Sequence, residues 1–413
     1  MLNAWAQFGA LLLLFWVAIN ALLLVVYRRE LWLLWREPVF RRPILVIESD
    51  DWGAGPLSQA GALREIAEIL LRHRDVSGRS PTFNMALILA VPDGTAMQAA
   101  ALYRRVYLDA PVFLPILSSL RDGQASGAFA LQLHGLEHYW PPTLMASDDA
   151  QVQAWLRQPQ PGTTEELPSH LQSRWVDTAG LPSKSHAEAA LRAAVAEEVH
   201  AYKRVVGAQP WAVVPPTFVW TREVERAWAD QGIECIVTPG WRYTGRNVRG
   251  LPDRREGPIV NGDRAGKITY LVRTDYFEPA RGRDAAYALQ ALDRAAARGR
   301  PCILENHRDN FIGTHPTRQH SLVELDKLCR GALARHPDLS FQTSHELARI
   351  LRDRDARWLV DKFAERLPSA WVRLRHAGRP WNLMVLTGLA AIAAFVVGML
   401  GRSPSTMPGP STP

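Results

Sequence analysis

The chain has 413 residues, 47% of them hydrophobic and 22% charged, with a formal net charge of +7. That length is enough for one large domain of α/β-barrel size plus further segments. The basic excess forms no stripe interleaved with aromatics, which argues against a nucleic-acid partner, and the three cysteines (Cys235, Cys302, Cys329) are too widely spaced for a cysteine zinc site.

In chain order, Ala4 to Tyr27 is an uncharged apolar run long enough to span a bilayer. It has neither the basic start nor the small-residue cleavage site of a secretory signal, so residues 1–28 read as an uncleaved anchor. A basic juxtamembrane segment follows at 29–42. From 43 to 355, short apolar runs alternate with helical patterns. This predicts an α/β fold, a distorted (β/α) barrel of seven or eight units with parallel strands. Strands are expected at Ile44 to Ser49, Phe83 to Ile88, Phe129 to Leu133, Trp211 to Val214, Cys235 to Val237, Ile268 to Val272, Cys302 to Leu304 and Leu339 to Gln342. Helices are expected at Ser185 to Val206, with Ser185 and Glu188 as a capping box, and at Asp284 to Arg298 and Leu322 to Arg335. Cys235 and Cys302 fall in strands as small core residues, in keeping with a reducing compartment.

The stretch 146–184 is rich in Gln, Pro, Ser and Thr. It is too long for an ordinary βα connection and reads as a lid or flexible excursion near the site. A juxtamembrane linker at 356–381, a second transmembrane helix at 382–400 (apolar from Leu383 to Leu400) and a disordered tail at 401–413 end the predicted order. Arg28, Arg29, Arg36, Arg41 and Arg42 follow the first span, and Arg373, Arg375 and Arg379 precede the second. The positive-inside rule then places the middle section in the cytoplasm, at a bacterial inner membrane, with both termini outside. Trp32, Trp35, Trp371 and Trp381 lie at the same boundaries, and the arginines suit anionic lipid headgroups as partners.

Two fragments carry the chemistry. Glu48-Ser49-Asp50-Asp51-Trp52-Gly53 closes one predicted strand, and His134-Gly135-Leu136-Glu137-His138 closes another. Two like charges at the end of an apolar strand are costly without a cation. Two imidazoles and one carboxylate leave a divalent metal with open positions for water and substrate, and a second carboxylate beside them can take a proton from that water. Asp50, Asp51, His134 and His307 all fall just past strand ends, where the functional residues of such barrels gather.

Asp50-Asp51, His134-x-x-x-His138, Pro215-Pro216 and Leu304-x-x-His307 occur in the order seen in polysaccharide deacetylases (carbohydrate esterase family 4, the NodB homology domain), which the chain resembles from Pro43 to Leu351. The resemblance implies a metal-dependent hydrolase, commonly using zinc, that removes N- or O-acetyl groups from a carbohydrate. It makes Asp51, His134 and His138 the metal ligands, Asp50 the general base and His307 the general acid. Pro216, Phe218, Trp220, Trp241 and Arg308 are expected at the substrate, and Tyr243 as a further part of an aromatic wall whose alternative role is packing. Asp275 is a candidate orienting partner for His307. His315 and His320 read as solvated loop residues.

The chain departs from the family pattern in places. Ser49 stands where Phe is usual, Trp52 intrudes before Gly53, and Gly135 replaces Ser or Thr. The third motif lacks the arginine that pairs with the base, a charge that Arg308 or Arg273 can supply. Two rival readings stay open. His134-x-x-Glu137-His138 matches the spacing of inverzincin metallopeptidases, in which both histidines lie on one helix face. Alternatively, the barrel is an inactive membrane-bound sugar-binding or assembly component. The favoured reading is a deacetylase facing the cytoplasm, with a lipid-linked sugar as substrate and polysaccharide-assembly proteins as possible partners in envelope or exopolysaccharide assembly.

Overall fold

Parallel strands buried on both faces read as continuous apolar runs, and Ile44-Leu45-Val46-Ile47 is such a run, with no residue more than 1% exposed. The computed structural model describes residues 2–99, 102–159 and 162–400. The chain divides into two compact units, one of 42–296 with 301–354, the other of 1–41, 297–300 and 355–413.

The larger unit is built on one ten-stranded sheet. Its strands are β1 (Ile44–Gly53), β2 (Phe83–Ile88), β3 (Phe129–Gly135), β4 (Ala212–Val213), β5 (Cys235–Thr238), β6 (Arg264–Ala265), β7 (Ile268–Val272), β8 (Asp275–Tyr276), β9 (Cys302–His307) and β10 (Ser340–Phe341). The spatial order is β6-β7-β5-β4-β3-β2-β1-β9-β8, with β10 paired to the start of β1. Every pairing is parallel except the antiparallel β6–β7. All eight expected strands are present. The expected closure is not: among the described residues the ladder runs from β6 to β8 without joining its ends, so the sheet is an open half-barrel.

Helices cover the sheet, and two differ from expectation. The long helix begins at Glu188 with Ala187 as N-cap, so the predicted Ser185–Glu188 capping box does not form. The helix expected from Leu322 starts earlier and spans His315–Arg335. His315 and His320 therefore lie on its first turns rather than in a loop, though both are solvent-exposed as anticipated. The 146–184 excursion is also more ordered than its composition suggests. It contains the helix Ala150–Leu156, and Val152, Trp155, Leu156, Leu167 and Leu171 form a small core with Met97, Tyr139 and Leu144.

In the smaller unit, Ala4–Val26 lies within one helix and is long and apolar enough to cross a membrane. The expected second span is not one helix. Arg379–Leu386 and Leu389–Leu400 are bent by 97°, with Gly388 at φ 75° in the break. At 8 and 12 residues, each is shorter than the ~20 residues a straight span needs. Thr387, at the corner, donates to Asn20 Oδ1 at 2.7 Å, and its carbonyl accepts from the Trp16 indole at 2.6 Å. Arg373, expected to face lipid headgroups, is buried and donates to the carbonyls of Leu34, Glu37 and Pro38. The tail expected to be disordered lies outside the described residues.

Candidate metal and hydrolase site

Neighbouring side chains on a regular strand point to opposite faces. At the end of β1 the register against β2 shifts between Ser49 and Trp52, and Asp51 takes φ 71°. Such a bulge re-aims side chains and lets Asp50 and Asp51 both reach site groups. The left-handed backbone of a non-glycine residue costs of order 1–3 kcal/mol, which the surroundings must over-determine. Trp52 helps to do so: its fully buried indole donates to Ser49 Oγ at 2.8 Å.

Asp51 meets the histidines at the end of β3. Its Oδ1 lies 3.3 Å from His134 Nε2 and 3.6 Å from His138 Nε2. The His134 Nδ1–H donates to the Val214 carbonyl at 2.7 Å, leaving Nε2 toward Asp51, as a metal-ligating imidazole is commonly held. Asp51 Oδ1 is buried without a hydrogen-bond partner among the described residues. Burial pushes His138 down to about 4, into the neutral form that a ligand requires. One carboxylate oxygen and two imidazole nitrogens within 4.8 Å of one another fit a divalent metal.

Asp50 is held differently. Both of its oxygens accept from Arg273, at 2.7 Å each. Burial alone would raise this carboxyl, but Arg273 and then His134 hold it below its usual range. Arg273 thus supplies the charge missing from the third motif. The same guanidinium lies 3.3 Å from Glu48 and 3.5 Å from Glu305. Strand register explains the grouping, since Glu48 pairs with Glu305 and Asp50 with His307 on β1 and β9.

His307 Nδ1 is 2.5 Å from Glu278, and its Nε2 is 3.7 Å from Glu305. Burial would lower this imidazole, but the Glu278 bond and then Asp50, Asp51 and Glu305 raise it to about 10. Glu278 therefore holds the place expected for Asp275, which instead accepts from Tyr287 at 2.6 Å and Arg294 at 2.8 Å. Arg308, expected at the substrate, is 1% exposed. It donates to the Asp51 carbonyl and to both oxygens of Glu165, from the excursion, at 3.1 Å.

The aromatic wall is only partly assembled. Trp220 is fully buried and donates to Glu225, so it is a core residue. Phe218 lies under Arg273, with the guanidinium carbon 5.5 Å from the ring centre. Trp241 is covered by Arg255 at 3.9 Å, and Tyr243 pairs with Val219. Pro216 is buried and packs beside Gly135.

The inverzincin alternative is overturned. His134 ends a strand and His138 follows in a bend, so no helix carries them. Glu137 points into a buried network with Arg105 at 2.6 Å, Arg174 at 2.7 Å and Tyr103 at 3.2 Å.

No family model matches the chain, and no curated protein matches it. Among solved structures it is similar to a polysaccharide deacetylase of provisional assignment from Mycobacterium smegmatis (12% identity, 76% of this chain and 91% of that chain, TM-score 0.38). It is also similar to the peptidoglycan deacetylase PdaC from Bacillus subtilis (13%, 77% and 95%, 0.35). A third is a CE4-family pseudoenzyme from Bacillus anthracis (11%, 75% and 66%, 0.35). Likenesses this low carry no argument about chemistry, which rests on the side chains described above.

Proposed function

We propose that the chain is a metal-dependent carbohydrate deacetylase. The observation that carries this reading is the juxtaposition of the Asp51–His134–His138 triad with Asp50 locked by Arg273 and His307 locked by Glu278. A divalent metal held by that triad, zinc being the first candidate, would acidify a water and polarise an acyl oxygen. Asp50, kept ionised by Arg273, accepts the proton of the attacking water. His307, kept protonated by Glu278, donates from Nε2 to the leaving nitrogen or oxygen. The inactive-barrel alternative rested on a missing arginine, and the Arg273 pair with Asp50 speaks against it.

The finer reading is a membrane-attached enzyme. The apolar helix and the arginines that follow it favour a cytoplasmic catalytic unit acting on a lipid-linked sugar, in company with polysaccharide-assembly proteins. Reporter fusions after residue 42 test the orientation, and an outward-facing unit redirects the reading to a polymer on the outer surface. The central test is metal content and acetate release from acetylated oligosaccharides, with wild type beside Asp51→Asn and His138→Ala. Metal and activity lost together in both variants support the site, and activity without metal refutes it.

A further inference from the structure

Trp16, Asn20 and Thr387 form a polar cluster in an otherwise apolar part of the smaller unit. The Trp16 indole donates to the Thr387 carbonyl at 2.6 Å, the Thr387 hydroxyl donates to Asn20 Oδ1 at 2.7 Å, and the Asn20 amide donates to the Trp16 carbonyl at 2.9 Å. Thr387 stands at the break between Arg379–Leu386 and Leu389–Leu400, and helix ends leave backbone carbonyls without partners. In lipid such groups are costly, so a break at membrane depth persists only where protein satisfies it. Here the N-terminal helix does so, and the corner is a built feature.

Its depth follows from the contacts. Tyr27 and Trp381 pack on one small core with Leu23 and Met384, and Asn20 then meets Thr387. The Arg379–Leu386 helix therefore runs back alongside the N-terminal helix from its basic end, and the corner lies about 10 Å along it. There the chain turns through 97°. Two helices of about 12 and 18 Å joined at that angle reach about 20 Å end to end, short of the ~30 Å hydrocarbon core. In the sequence, Gly401-Arg402-Ser403-Pro404 ends the apolar run.

The second helix carries no polar residue, and Ile392, Phe395, Val396, Met399 and Leu400 are exposed on it. An apolar patch of this kind marks an interaction surface. Arg28, Arg29, Arg375 and Arg379 are exposed at the basic end of the same helices. Cations above and apolar side chains about 10 Å below match the anionic headgroups and acyl chains of a single leaflet.

We propose that Arg379–Leu400 is a re-entrant anchor, embedded in the leaflet next to the basic end of the N-terminal helix. The partner of its exposed face is the acyl chains of that leaflet. The residues after 400 then return to the side on which the chain leaves the N-terminal helix, so the expected second crossing is replaced by a one-leaflet insertion.

The test uses the full chain in sealed membrane vesicles of either orientation, with a membrane-impermeant maleimide. The native thiols Cys235, Cys302 and Cys329 are buried and stay silent. Single cysteines are introduced by Ser185→Cys, Ser405→Cys and Phe395→Cys. Ser185 is exposed on the larger unit, and Phe395 is 67% exposed, so only lipid can shield it. Ser185→Cys and Ser405→Cys should react from one face, while an epitope tag before Met1 is digested from the other. Phe395→Cys should react only with a membrane-permeant maleimide. Ser405→Cys reacting from the tag's face makes the pair a true second span, and Phe395→Cys reacting with the impermeant reagent places it in water; either result overturns the inference. Thr387→Leu with Gly388→Leu removes the corner and restores a run of roughly 33 Å, so labelling of Ser405→Cys should be lost from the first face and move to the tag's. Labelling that stays where it was overturns the role given to the corner. None of these readouts depends on the deacetylase reading.

Discussion

Asp51 and Glu137 are both buried carboxylates within the same neighbourhood of β3, and they are treated in opposite ways. Glu137 is surrounded by two guanidinium groups and a phenol. Among the described residues the Asp51 carboxylate pairs only with imidazoles, and its Oδ1 has no hydrogen-bond partner. A buried carboxylate needs a positive or hydrogen-bonding partner. Where the chain supplies its own cation, the group holds the fold together. Where it does not, the group is free to hold a cation from outside. Asp50 belongs with Glu137 in this respect, since Arg273 satisfies both of its oxygens.

The largest expected effect tests the unsatisfied carboxylate. Asp51→Asn should remove bound metal and lower kcat/KM by about a thousandfold or more, because metal catalysis contributes several kcal/mol; metal analysis and acetate release read it together. Glu137→Gln should do the converse, leaving metal bound while costing about 3–5 kcal/mol of stability in denaturant unfolding, because Arg105 and Arg174 lose a buried partner.

Arg273→Gln should move the acid limb of the pH–rate profile upward, since Asp50 loses the cation that holds it low. Glu278→Gln should draw His307 down from about 10, so the alkaline limb moves to lower pH. The stability sign follows from the same shift. Protonated His307 stabilises the fold fully below its ordinary value of 6.5, and that contribution is lost as pH rises through about 10. The smallest effect is expected at Asp275→Asn, about twofold or less in kcat/KM, because Asp275 serves Tyr287 and Arg294 rather than His307.

The strands, and the carboxylates and imidazoles that meet at their ends, were legible because each apolar run and its polar end are local in the sequence. The supporting carboxylates Glu48 and Glu305 were not anticipated, although the sequence carries a weak signal for them. Glu48 and Asp50, Gln132 and His134, and Glu305 and His307 each stand two apart in otherwise apolar strands. That spacing puts each pair on one face, and the register then sets Glu48 beside Glu305 and Asp50 beside His307. Glu278 gave no such signal, as it lies outside the named strands and is brought to His307 only by tertiary structure. The bend at Gly388 was missed because hydropathy counts apolar residues without registering that a glycine can turn the axis. The order within the excursion was not legible because its Gln, Pro, Ser and Thr mask the apolar residues that build its core.

The register shift between Ser49 and Trp52 has one more consequence. Two residues of β1, Asp50 and Asp51 themselves, stand opposite the single Ala86 of β2, a phase shift in an otherwise two-beat pattern. In a regular ladder, neighbours so placed would point to opposite faces, separated by the thickness of the backbone. Whether the two carboxylates can act together therefore depends on the parity of the strand as much as on the identity of the side chains.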